Sequence, residues 1–157
     1  NLFMPFRLLD LAVKKHVKVF INTDTVLDRF VSAYAMIECL KNNEPVIDLT
    51  PGEQQRDFVY YEDIISAFEI VIDKNDTVTT GSTFRVGSGE TISIKELMLF
   101  LKKYMGANSR LNFGAIPYQA NELMLSETNL EPLKSLGWKP EYTIKEGLLK
   151  TIKKLYN

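Results

Sequence analysis

The sequence is poor in the residues that build metal and redox sites. Its 157 residues include one cysteine, Cys39, and one histidine, His16. A single cysteine excludes an internal disulfide framework and a multi-cysteine zinc site. No metal is expected, and a His-based triad would have to use His16 itself. Charge of one sign is also lacking: 19 basic against 20 acidic side chains leave a net charge of −1. That balance gives no electrostatic footprint for nucleic acid or an anionic membrane. There is no run of about 18 apolar residues, so a transmembrane helix is excluded. The opening stretch, Asn1 to Arg7, has neither the charged region nor the cleavage site of a secretory signal. The cytoplasm is the expected compartment. Glycine is scattered. The one Gly-x-Gly, Gly87-Ser88-Gly89, lacks the third glycine of a dinucleotide fingerprint, whose backbone N–H groups hold a pyrophosphate.

What remains is an ordinary globular composition, 45% hydrophobic and 25% charged, long enough for one domain with a real core. Residues 1–16 read as a helix with a wide apolar surface (Leu2, Phe6, Leu9, Val13, flanked by Phe3, Leu8, Leu11, Ala12) that needs cover on two sides. The β-branched stretch from Val17 to Asn22 predicts a strand ending in the polar cluster Thr23-Asp24-Thr25. Ligands of open parallel sheets bind beyond such strand ends. A helix is expected over Leu27–Leu40, a short strand over Val46–Leu49, a turn at Pro51-Gly52 and an extended stretch over Arg56–Tyr60. A helix from Glu62 or Asp63 should turn Ile64, Ile65, Phe68, Val71 and Ile72 inward, and Thr83–Val86 reads as another strand. Two capping boxes, Ser93-x-x-Glu96 and Thr143-x-x-Glu146, open amphipathic helices. A short helix over Leu130–Leu136 lies between them, stopped by Gly137. The overall class is α/β.

Several segments resemble a known family. Gly52 to Ile64, with Arg56-Asp57-Phe58-Val59-Tyr60 at its centre, is similar to a segment of extended short-chain dehydrogenases/reductases acting on nucleotide sugars, the NAD-dependent epimerase/dehydratase family. So are Val86-Gly87-Ser88-Gly89 with Ile92 to Leu97, the ending Leu136-Gly137-Trp138-Lys139-Pro140, and Ile21 to Ala35, whose wording resembles sugar-nucleotide reductases of the CDP-abequose synthase type. The resemblance implies a partial Rossmann-type parallel sheet, residues 1–35, joined to a smaller α/β C-terminal substrate-binding lobe, mostly residues 36–157. It implies NAD or NADP as cofactor, a nucleotide-diphosphate sugar as substrate, and a homodimer built on the first helix and the tyrosine helix. The implied activity is reduction or epimerisation of a nucleotide-linked keto-sugar. The rival is a non-catalytic nucleotide-sugar-binding module or partner subunit.

Residue by residue, the resemblance makes Tyr34 the catalytic acid/base beside the nicotinamide, and Thr23 the hydroxyl that orients it and the substrate oxygen. The alternative for Thr23 is a strand-end or cap threonine. Asp24 and Thr25 fall in the substrate cluster. Dehydratases of the family carry a glutamate base where Thr25 stands, which favours reduction or epimerisation over dehydration. Arg56 would grip the diphosphate with its planar fork, or else form a salt bridge, with Asp57 or Glu62 the nearest candidates. Ile47 and Leu49 align with the loop under the nucleotide base, or are two core residues. Gln119 stands where the family has a second phosphate-binding arginine. The departures are sharp. The family's Tyr-x-x-x-Lys pair uses lysine to favour phenolate, whereas Glu38 stands four residues after Tyr34. Lys41 is seven residues on, roughly 10 Å along a helix. A break in the resemblance is therefore expected between Ala35 and Met36, with the glycine-rich half and an internal segment of some tens of residues lacking. Trp138 is expected in the core, His16 at a helix end, and Cys39 as a small buried apolar group.

Overall fold

A computed structural model describes residues 3–21 and 33–156. The elements in chain order are α1 (Phe3–Lys14), α2 (Ala33–Lys41), β1 (Val46–Leu49), β2 (Gln55–Arg56), α3 (Tyr61–Asp73), β3 (Ile92–Ser93), α4 (Ile94–Met105), β4 (Arg110–Phe113), β5 (Leu125–Ser126), α5 (Glu131–Ser135) and α6 (Ile144–Tyr156). β1 and β4 form a parallel pair, Val46 opposite Arg110 and Leu49 opposite Phe113. A three-stranded sheet has the order β3-β2-β5, with β2 antiparallel to β3 and parallel to β5.

The helices start and stop where local chemistry dictates. Ser93 Oγ accepts from the Glu96 amide at 3.1 Å, and the Glu96 carboxylate accepts from the Ser93 amide at 3.3 Å. Thr143 and Glu146 make the same reciprocal pair. These hydrogen bonds hold both carboxyls below the usual range, through the Ser93 hydroxyl first for Glu96 and the Thr143 amide first for Glu146. Gly106 ends α4 in the left-handed conformation, φ 65°, which only glycine adopts freely.

Two apolar cores follow. The first joins Ile37 and Leu40 of α2, Ile47 of β1, the inner face of α4 (Leu97, Met98, Leu101) and Ile144, Leu148 and Ile152 of α6. The second gathers Ala67 of α3 with Leu130, Leu133 and Trp138, flanked by Phe84 and Val86. Trp138 donates its indole N–H to Ser66 Oγ at 2.9 Å, so its polar edge is satisfied inside the core. Glu62 accepts from the hydroxyls of Tyr142 and Tyr61 at 2.8 and 3.0 Å, which pins α3 to the segment entering α6. The Tyr142 hydroxyl is the main reason the Glu62 carboxyl lies below its ordinary range.

Three expectations fail. Val17–Ile21 forms no strand among the described residues, and Val17 is 52% exposed. The Val17 amide instead donates to the Ala12 carbonyl at 2.9 Å, closing the end of α1. Thr83–Val86 is not in a ladder either, although Phe84 and Val86 alternate inward as a strand would. On α3 the buried residues are Asp63 and Ala67, while Ile65 and Ile72 are about half exposed. Asp63 accepts from the amides of Glu141 and Tyr142 at 2.8 and 3.3 Å. Those bonds rotate the helix so that a carboxylate, and not Ile65, faces the interior.

Candidate functional site

β1 and β4 run parallel, so the loops that leave them, residues 50–54 and 114–124, emerge from one edge of the pair. The carboxyl edge of parallel strands is where open α/β sheets bind ligands. The two loops are tied together. The amides of Gly114 and Ile116 both donate to the Leu49 carbonyl, at 3.0 and 3.1 Å. The Glu53 amide donates to the Tyr118 hydroxyl at 2.9 Å, and the Gln55 amide to the Met124 carbonyl at 2.7 Å. Gly52, at φ +81°, lies against α4, where its carbonyl accepts from the Lys95 amide at 2.9 Å. A Cβ there would come within 2.9 Å of Lys95 Cβ, so glycine alone fits both the backbone and the space. Gln54 is 3% exposed and donates to Thr50 Oγ1 at 2.9 Å, while its buried Oε1 has no partner among the described residues.

Arg56 stands at the foot of this edge. β2 is the central strand of its sheet, and Arg56 is only 8% exposed. Its Nη1 donates to the carbonyls of Gln55, at 2.9 Å, and of Leu123. Its Nη2 donates to Glu122 Oε1 at 2.7 Å, and both side chains of this ion pair are largely buried. Among the described residues its carboxylate partner is Glu122, 66 residues away, and not Asp57 or Glu62. A buried guanidinium paired in this way is fixed in position, and as a pair it is neutral. Gln119, on the same loop as Glu122, is exposed.

The other sequence-predicted residues that the structure describes do not gather here. Ile47 is in the first core and Leu49 packs against it, so both side chains face inward, and what reaches the edge is the Leu49 carbonyl. Thr23, Asp24 and Thr25 lie outside the described residues. Tyr34 is 55% exposed on α2, which runs unbroken across Ala35 and Met36. Glu38 is engaged by the other end of the chain: Tyr156 donates its hydroxyl to Glu38 Oε1 at 2.5 Å. Burial, then the Glu38 carboxylate, pushes the Tyr156 phenol up to about 12. Lys41 places its ammonium 3.9 Å over the Tyr156 ring, a cation–π contact. Neither group does for Tyr34 what the lysine of a Tyr-x-x-x-Lys pair does.

The Gly-x-Gly loop at residues 87–89 is closed to a phosphate. Asp57 fills the loop of Gly87 and Gly89 from inside. Its carboxylate accepts from the Ser88 amide at 2.7 Å, the Ser88 hydroxyl at 2.6 Å and the Gly89 amide at 3.4 Å. An anion of the chain itself thus takes the donors that would hold a phosphate. A shallow groove of about 900 Å³ between the C-terminal ends of α2, α4 and α6 is lined by Lys41, Tyr104 and Tyr156. It contains none of the sequence-predicted site residues.

Sequence reasoning missed Tyr118 and Glu53 as loop ties, and it missed β4. The alternation of Leu111 and Phe113 with Arg110 and Asn112 was the available signal for β4. No short-range signal marks a pairing between Arg56 and Glu122.

Comparison with known proteins agrees with this architecture. Residues 27–87 match the NAD dependent epimerase/dehydratase family. The chain is 27% identical to CDP-abequose synthase of Salmonella typhimurium, covering 99% of this chain and 69% of that protein. It is 36% identical to CDP-abequose synthase of Salmonella muenchen over 74% of this chain, which is 39% of that protein. The first match extends over 205 aligned residues against the 157 here, so roughly fifty aligned positions have no counterpart in this chain. The solved UDP-glucose 4-epimerase of Thermotoga maritima, with UDP-glucose, superposes with a TM-score of 0.68 at 19% identity. That match covers 98% of this chain and 52% of the epimerase, and it shows the shared α/β fold of Rossmann-type enzymes. The parallel-strand architecture agrees with these matches: residues 27–87 match the NAD dependent epimerase/dehydratase family, and the chain is similar to CDP-abequose synthases and shares the fold of a UDP-glucose 4-epimerase.

Proposed function

We propose that this chain is the nucleotide-sugar-binding part of an enzyme that reduces or epimerises a keto-sugar carried on a nucleoside diphosphate, with NAD or NADP as its redox partner. The observation that carries this reading is the convergence of loops 50–54 and 114–124 on Arg56. A planar donor fork sits at the carboxyl edge of parallel strands, the place and the chemistry for a diphosphate. The relatives point the same way, since they are named for sugar nucleotides. The described residues contribute binding and orientation; the hydride chemistry belongs to the nicotinamide when it is held by the complete fold. On this reading Tyr34 is the acid/base, Thr23 orients it, Asp24 and Thr25 line the sugar site, Gln119 faces the diphosphate without charge, and the backbone beside Ile47 and Leu49 borders the base.

A second reading is a binding module without redox chemistry. Two observations favour it for the chain as it stands: Glu38 and Lys41 both serve Tyr156, and the glycine loop is closed by Asp57. A homodimer is part of the proposal. Leu8, Leu9, Leu11 and Val13 of α1 are between 42% and 66% exposed, an apolar helix surface in want of cover. A cytoplasmic location fits the single free cysteine.

Calorimetric titration with UDP-glucose, CDP-glucose and NADPH tests the reading. The expected result is saturable binding of a nucleotide sugar, weakened at least tenfold by Arg56→Gln in a variant that still melts cooperatively. Binding of NADPH but of neither sugar nucleotide would overturn it.

A further inference from the structure

The Arg56–Glu122 pair has a consequence for the affinity of the site. Arginine attracts a diphosphate through net charge and through free N–H donors. Here Glu122 cancels the charge at 2.7 Å, and the carbonyls of Gln55 and Leu123 take further donors. The pair is largely buried, so water screens it little. Gln119, three residues earlier, adds no cation. An incoming diphosphate therefore meets a guanidinium already occupied by an anion of the chain itself.

The carboxylate sits on a segment whose other anchors do not depend on it. Tyr118 holds the loop to Glu53, and Met124 holds it to Gln55. Glu122 lies between these two ties. Its side chain can swing away from Arg56 to solvent while the loop stays in place. Exchange of one anion for another leaves the buried guanidinium paired throughout, which avoids the large cost of an unpaired buried charge.

We propose that Glu122 is a built-in competitor for the anion subsite: its carboxylate occupies Arg56 in the free protein and is displaced by the diphosphate of the ligand. This rests on the reading of Arg56 as the diphosphate anchor. Glu122 then sets the affinity, by holding it below what a free arginine fork would give. Its occupancy also makes the site discriminate by ligand charge, since a neutral sugar cannot drive the exchange and a diphosphate can.

The test uses the whole chain, with inorganic pyrophosphate and UDP as probes, read by calorimetry, and a thermal melt of every variant. Glu122→Gln keeps an acceptor for Arg56 and removes only the competing charge. It is expected to bind pyrophosphate roughly tenfold more tightly than the unaltered chain, with the gain shrinking as salt is raised. The double variant Arg56→Gln/Glu122→Gln removes both buried charges together, so it folds even where a single replacement strains the core. It is expected to lose at least tenfold relative to Glu122→Gln. If the double variant binds weakly but Glu122→Gln binds no better than the unaltered chain, the competitor role is wrong and Arg56 remains the anchor. If the double variant binds as well as Glu122→Gln, Arg56 is not the anchor, and both readings fall.

Discussion

Gly87→Ala is expected to cost roughly 3 kcal/mol of stability, about 10 °C in melting temperature for a chain of this size. A Cβ at this position would overlap Asp57 Oδ2 and lie 2.6 Å from Thr128 Oγ1 and 2.7 Å from Thr128 Cβ. No flexible side-chain end is available to yield. Asp57 is anchored by three hydrogen bonds to Ser88 and Gly89, and bonds to a charged group are the stronger kind. The methyl group therefore has to break that clamp or push the 87–89 loop away from β2. Because Asp57 directly follows Arg56, the damage should reach the site, and nucleotide binding should fall along with the melting temperature. A Gly87→Ala protein that melts within about 2 °C of the parent would show that the close packing of this loop is not as described.

Asp63→Ala is the second large effect. The carboxylate is 1% exposed and accepts from the amides of Glu141 and Tyr142. Alanine leaves both donors without their acceptor and leaves a small void. Each hydrogen bond to a charged acceptor contributes about 1.5–3 kcal/mol, so a loss near 3 kcal/mol is expected from urea unfolding midpoints. Asp63→Asn keeps one acceptor oxygen and should lose about half as much. Equal losses for alanine and asparagine would point to the charge itself; a loss below about 1 kcal/mol for alanine would mean that the segment entering α6 holds its place without Asp63.

These two positions also show what the sequence could reveal. Helix boundaries were legible because their causes are local: Ser93 with Glu96, Thr143 with Glu146, and Gly106 act within a few residues. The family motif around Arg56 was legible for the same reason, as a contiguous string. Burial on α3 was not, because it is decided by amides almost eighty residues on. The apolar Ile65 and Ile72 were expected inside, and a carboxylate is there instead. Strand pairing was only half legible. Val46–Leu49 reads as a strand and is one, whereas Thr83–Val86 has strand-like alternation without a neighbour among the described residues to complete a ladder. Alternation records which side chains face inward; whether another segment lies at hydrogen-bonding distance is a property of topology. The partner of Arg56 was hidden for that reason. The short-range candidates, Asp57 and Glu62, are taken by Ser88 and by tyrosines, and Glu122 becomes the neighbour only after β2 and β5 pair in parallel.

The central claim is that nucleotide ligands meet this chain at the carboxyl edge of β1 and β4, over Arg56. Amide chemical-shift mapping of the isotopically labelled chain during titration with UDP addresses it most directly. The account predicts saturable shifts concentrated in residues 50–56 and 114–124, with the Gln55, Glu53 and Glu122 amides among the most affected. Shifts confined to residues 87–89, or to the groove between the ends of α2, α4 and α6, would contradict it.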